Sequence, residues 1–151
     1  HTVHGSFKLK SGTIRLDPAS GKANGVIIVD ATSGESGSSG RDKKMHQDVL
    51  ESRKFPEIVF APKQVKGTLL PGAVSQFEVS GTFRLHGADH ELTLAIAVQP
   101  AGQKLNAATH FVVPYAAWGL KNPSVFFLRV SDKVEIDVRA AGQILPAAPQ
   151  N

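Results

Sequence analysis

The stretch Ser75–Gly87, SQFEVSGTFRLHG, and the stretch His90–Pro100 that follows it, HELTLAIAVQP, decide how this chain folds. Apolar and polar residues alternate through both. A period of two puts Phe77, Val79, Phe83 and Leu85 on one face and Gln76, Glu78, Thr82 and Arg84 on the other, as a half-buried strand requires. Leu92, Leu94, Ile96 and Val98 repeat the pattern, and so do Val134, Ile136 and Val138. Gly81 interrupts the first run in its middle, where a missing side chain predicts a bend or bulge. Curvature of that kind favours a barrel over a flat sandwich.

Outward from this pair the strand pattern continues. GSFKLKSGTIRLDP reads as two strands, Phe7 and Leu9 in one, Ile14 and Leu16 in the other, with a tight turn at Ser11 and Gly12. A second turn at Asp17, Pro18 and Gly21 leads to a third strand, GVIIVDAT. EIVFAP, QVKGTLL, KLNAATHFVVPY, SVFFLRV and KVEIDVRAAG read as further strands, set apart by Pro62, Pro71-Gly72, Gly87, Pro100–Gly102 and Gly119–Pro123. Only Arg41–Phe60, RDKKMHQDVLESRKFPEIVF, reads as a helix. Ser39 is its expected N-cap with Asp42 three residues on, Met45, Val49 and Leu50 form its narrow apolar stripe, and Pro56 limits it. It hangs from the Gly/Ser-rich segment Ser33–Gly40, and either caps the core or serves as a lid over an open barrel end.

Composition narrows the function classes. At 151 residues the chain makes one domain, expected over residues 1–145, with the tail 146–151 disordered. No apolar run approaches the roughly 20 residues of a spanning helix, so the chain is not expected to span a membrane. The net charge of +4 comes from 17 Lys and Arg interleaved with 13 acids, which describes a solvated surface rather than a nucleic-acid footprint. With no cysteine there is no disulfide, thiolate metal site or cysteine nucleophile, and the redox compartment stays open. The chain begins at His1 with neither Met nor a leader, so no targeting sequence indicates a compartment.

The chemistry-bearing residues point away from an enzyme. His86 and His90 are four apart, a metal spacing on a helix, but Gly87-Ala88-Asp89 makes that spacing a turn and the two read as turn polars. His1, His4 and His110 read as surface residues. Glu78, Glu135 and Asp137 fall on outward strand faces, and no GxSxG elbow, Walker loop or GxGxxG is present. No catalytic residue, metal or cofactor is expected. Aromatics on a β protein either stack bases or fill a core, and the core is the default; an OB-like nucleic-acid barrel trails. A barrel lined by Phe7, Leu9, Phe77, Phe83, Leu94, Ile96, Phe111 and Phe126, with the small Ala95, Ala97, Ala107 and Ala108 turned inward, would leave an apolar tunnel.

Three segments, ATSGESGSSGRDKKMHQDVLESRKFPEIVF, VSGTFRLHGADHELTL and VSDKVEIDVRA, together resemble the YceI-like family. Ser33, Ser36-Gly37, Arg41-Asp42 and Phe55-Pro56 fill the family's pattern, and Leu85-His86-Gly87 stands at its His-Gly hairpin. The resemblance implies an all-β fold, an extended antiparallel lipocalin-like barrel with one short helix near its mouth. It also implies a non-enzymatic carrier of a long apolar lipid, a polyisoprenoid or similar chain, periplasmic or secreted. On that reading Met45, Leu50, Leu85 and Trp118 join the tunnel lining, and His86 or Arg41 lies nearer the ligand's polar end. The alternative is a periplasmic stress or interaction protein whose barrel is merely filled. The family usually carries a further strand with a His-Ser pair before the segment that HTVHGSF resembles. The expectation is therefore a barrel left incomplete or closed by a second copy, hence a homodimer.

Overall fold

The computed structural model describes residues 5–70, 72–120 and 134–144. Its strands are β1 (Ser6–Leu16), β2 (Ala23–Glu35), β3 (Glu57–Lys66), β4 (Ser75–Leu85), β5 (Ala88–Ala101), β6 (Lys104–Val113) and β7 (Val134–Gln143). Each pairs antiparallel with the next in chain order, and the resulting meander curls into a half-barrel of the lipocalin-like kind. Helix α1 (Ser39–Lys44) and a π-helical turn, Met45–Val49, lie between β2 and β3.

Alternation in β4 sets the two faces. Ser75, Val79, Gly81 and Leu85 are buried while Gln76, Glu78 and Arg84 are exposed. Directly opposed residues of an antiparallel pair share a face, so the ladder carries this assignment across the sheet. Val79 stands opposite Val65 and Leu94, and Phe83 opposite Phe60 and His90. On the far side Phe111 faces Ile136 and Thr109 faces Val138. The inner face thereby gathers two clusters, Phe60, Val79 and Leu94 at its centre and Leu85, Val113, Tyr115 and Leu120 at the helix end.

Two expected strand breaks are bulges instead. β1 runs unbroken through Ser11 and Gly12, with a register shift between Leu9 and Ser11. The inward set changes there from Phe7 and Leu9 to Gly12, Ile14 and Leu16, because one extra residue in a strand shifts its parity by one. A shift between Pro62 and Gln64 does the same in β3, which joins the two segments read as separate strands; a bulge is a place where a sheet tolerates Pro. Gly81 itself keeps β4 in phase. It lies opposite Pro62, where a Cβ would overlap the Ala61 carbonyl oxygen and meet the Pro62 Cα at 2.9 Å, so the glycine admits the bulged neighbour.

Other expectations are corrected. The helical segment ends at Val49, well before Pro56, and its N-cap is Ser38, which makes no side-chain cap bond. Ser33, Gly34 and Glu35 belong to β2 rather than to a loop. Of the four alanines expected inside, only Ala107 is on the inner face, opposite Val98; Ala95 pairs with the exposed Glu78 and Ala97 with Ala108, on the outer face. Phe126, His1, His4, the strand SVFFLRV and the tail 146–151 lie outside the described residues.

Along most of the first strand the inner-face side chains are exposed to solvent. Phe7, Leu9, Ile14 and Leu16 expose 38%, 55%, 44% and 44% of their surface. Among the described residues no strand closes β1 against β7. Because the β3 bulge needs room at Gly81, Gly81→Ala is expected to lower stability by about 1–3 kcal/mol in urea unfolding. Gly40→Ala, which meets nothing within 4 Å in α1, is the control, expected to hold or gain up to about 1 kcal/mol.

Candidate ligand-binding trough

The curl of the sheet makes the inner face a trough, and its helix end is aromatic. Phe83 meets Phe111 edge-on with ring centroids 6.0 Å apart and lies 5.8 Å from Trp118. Trp118 is brought there by the tight turn after β6, in which its N–H donates to the Pro114 carbonyl and the Leu120 N–H to the Tyr115 carbonyl, both at 3.0 Å. Val49 and Leu50 pack on the same cluster, so this part of the helical segment covers the trough's end. Met45 sits elsewhere, beside Phe7 over Gly34, where a Cβ would overlap the Phe7 ring and meet the Met45 Cε at 2.9 Å. From this end Leu92, Leu94, Ile96 and Val98 of β5 continue down the trough, with Phe77 opposite Ile96.

His90 heads that row, opposite Phe83, and its imidazole stacks on Trp118 at 4.0 Å with the planes 8° apart. Its Nε2 is buried and has no hydrogen-bond partner. Leaving such a group unsatisfied costs about 1–3 kcal/mol. The sequence reading assigned His90 to a turn. The signal that finds it is the β5 alternation extended back by two from Leu92.

His86, read from the sequence as a turn residue, is built into the β4–β5 turn. With φ of 55° at His86 and 73° at Gly87 the two residues form the two-residue left-handed turn that joins Leu85 to Ala88. Its ring hydrogen-bonds the Glu51 carboxylate through Nε2 at 2.8 Å and tilts against Phe55 with centroids 4.5 Å apart. Glu51, itself at φ 48°, follows Leu50, the C-cap of the helical segment. Arg41 is exposed on α1.

Two further ties hold the helix. His46 Nε2 lies 2.7 Å from the Gly34 carbonyl, which can only accept, so Nε2 donates to it, and in the neutral ring Nδ1 accepts from the buried Ser52 hydroxyl at 2.8 Å. Asp42 accepts from the Ser36 hydroxyl at 2.6 Å and from its N–H at 3.1 Å. The Ser36 hydroxyl and then its N–H hold the Asp42 carboxyl below the usual carboxylate range. Elsewhere, a hollow of about 460 Å³ lined by Val74, Ala97, Gln99 and Ala108 lies on the outer face, away from the trough. Among the described residues no three His, Asp or Glu side chains gather as metal ligands.

The Asp42 tie carries a pH signature. Its folded pKa is depressed, so its contribution is complete above the unfolded carboxylate value, about 4, and is lost as pH falls through the lower folded value. Amide exchange at Ser36 is expected to accelerate on acidification below about pH 4, and Asp42→Asn to remove that acid step. Exchange at Ser36 that is flat with pH in the parent, after correction for intrinsic rates, would exclude this tie.

Comparison with solved structures places this architecture. A Campylobacter jejuni YceI protein superposes with a TM-score of 0.77 at 17% identity, covering 97% of this chain and 87% of that one. Burkholderia cenocepacia BcnA superposes with a TM-score of 0.75 at 17% identity, covering 92% and 87%. A Saccharophagus degradans domain, described as a polyisoprenoid binding domain implicated in plant cell wall breakdown, gives 0.68 at 18%, covering 93% and 91%. At these identities the likeness is one of fold. No curated protein matches the sequence. The profile of the YceI-like domain matches residues 1–141, nearly the whole strand meander with its inserted helix, and the chain belongs to that family.

Proposed function

We propose that this protein is a non-enzymatic binder and carrier of a long apolar lipid, a polyisoprenoid or similar chain held along the concave face of the sheet. The observation that carries the reading is the uncovered apolar row of β1, with Leu9 exposing 55% of its surface, facing the same trough as the β4–β6 rows. A polypeptide seldom leaves so continuous an apolar strip to water unless something covers it. Family membership and the polyisoprenoid-binding description of the Saccharophagus degradans domain support the choice of ligand class.

In this reading the wall is made by Phe7, Leu9, Phe77, Phe83, Leu94, Ile96 and Phe111. Apolar burial supplies the affinity, at about 0.8 kcal/mol per CH2 removed from water. Charge contributes little, so binding is insensitive to salt, unlike the steep loss that counterion release gives a nucleic-acid binder. No helix among the described residues is long and apolar enough to cross a membrane, and family resemblance favours a periplasmic or secreted carrier. A second copy covering the β1 edge is the dimer this reading favours.

Organic extraction of the purified protein followed by mass spectrometry is expected to release a long apolar lipid. Ile96→Trp, which adds bulk to the trough floor, is expected to leave the parent's melting temperature in place and empty it of lipid. A filled barrel predicts the opposite: no lipid from either protein, and a loss of about 1–3 kcal/mol from overpacking in the variant. That result would favour an interaction protein with no lipid site.

A further inference from the structure

His90 is half-buried, and its Nε2 is a buried polar atom without a hydrogen-bond partner. Its Nε2 is the one side-chain nitrogen or oxygen among the described residues that is both buried and unpaired. The surroundings are aromatic: Trp118 stacked at 4.0 Å on its face and Phe83 opposite it in the β4–β5 ladder. Other histidines of the helix end have partners, His46 with Ser52 and Gly34, His86 with Glu51. A buried donor or acceptor is retained at a cost unless a ligand or water completes it. His90 also stands at the closed end of the inward β5 row that runs through Leu92, Leu94 and Ile96 to Val98. The row extends roughly 27 Å, at about 3.4 Å per residue.

We infer that His90 Nε2 is the polar anchor of the trough, hydrogen-bonding the oxygen of a hydroxyl-bearing head group at the Trp118 end while the ligand's apolar chain lies along the β5 row. The inference rests on the lipid-binding reading and names the head-group chemistry of that site. Imidazole suits a hydroxyl because Nε2 can donate to its oxygen or accept its proton, whichever tautomer is present. Nε2 is covered in the structure, so the neighbouring side chains, Trp118 stacked on the imidazole among them, shift to admit that oxygen. Neither His86, committed to Glu51, nor the exposed Arg41 fills this role.

Trp118 is the only tryptophan in the chain, so its fluorescence reports on His90's surroundings without labelling. Delipidated protein is titrated with geranylgeraniol and with the matching hydrocarbon that lacks the hydroxyl. The parent is expected to bind the alcohol several-fold to about tenfold more tightly, the range of one hydrogen bond. His90→Phe, which keeps an aromatic ring against Trp118, is expected to bind the two probes equally, and His90→Gln, which keeps a donor and an acceptor, to retain part of the preference. In ¹⁵N-labelled parent protein the His90 Nε2 resonance is expected to shift with the alcohol and not with the hydrocarbon. Equal binding of both probes by the parent, or an Nε2 resonance that ignores the alcohol, overturns the anchor and leaves the lipid-binding reading standing. If neither probe binds, both fall. The comparison of probes and the resonance are read in the parent, so they decide the matter even if His90→Phe fails to fold.

Discussion

The curled seven-stranded antiparallel meander has one apolar face with no second sheet behind it among the described residues, and the insertions between its strands answer to that constraint. The centre of the face is covered by its own side chains, where Phe60, Val79 and Leu94 meet across three strands. One end is covered by two insertions of different origin. The segment between β2 and β3 contributes Val49 and Leu50, and the turn after β6 contributes Tyr115, Trp118 and Leu120. Along β1 Met45 meets Phe7, while Leu9, Ile14 and Leu16 beyond it stay open.

Covering an end requires a helix held at a fixed angle, and this one is too short to hold itself. Six α-helical residues followed by a π-helical turn fall far below the length at which a helix is stable alone. The ties compensate: Asp42 to Ser36, His46 to Ser52 and the Gly34 carbonyl, Glu51 to His86. Both residues of the last pair have positive φ, a conformation that costs a non-glycine residue on the order of 1 kcal/mol or more. Their hydrogen bond and the Phe55 contact offset that cost and join the helix's end to the β4–β5 turn. The His-Gly dipeptide is thus a turn former at both positions and a clasp at one.

How much of this was legible in the sequence follows from which signals are local. Faces of β4 and β5 were, because period two is a property of consecutive residues, and Val79, Leu85 and Leu94 are buried as it requires. Bulges were not. At Lys10 and Lys63 the alternation changes phase, and a phase change looks the same whether the strand stops or continues with one extra residue; only the partner strand decides between them. Ser33–Glu35 read as loop by composition, yet Ser33 accepts from the Lys8 N–H and donates to the Asp30 carbonyl, a pairing with a residue 25 positions away that composition cannot display. His90 was misassigned for a different reason. Its neighbours in sequence suggest a turn, while its neighbours in space are Phe83 across the ladder and Trp118 from the turn after β6.

The outer face supplies the argument for why the inner one keeps its register. Lys10–Glu57, Lys63–Glu91, Arg84–Asp89 and His110–Asp137 all pair there at 2.6 to 3.2 Å, well exposed. Individually such exposed pairs, screened by water, contribute little to stability. Their weight lies in the alternative. A slip of one residue in β4 against β5 would carry Glu78, Thr82 and Arg84 into the trough and Phe77, Phe83 and Leu85 out to water, exchanging an apolar lining for buried charge. The same alternation that leaves the trough free of charge therefore fixes it against slipping, and makes a single unpaired imidazole within it conspicuous.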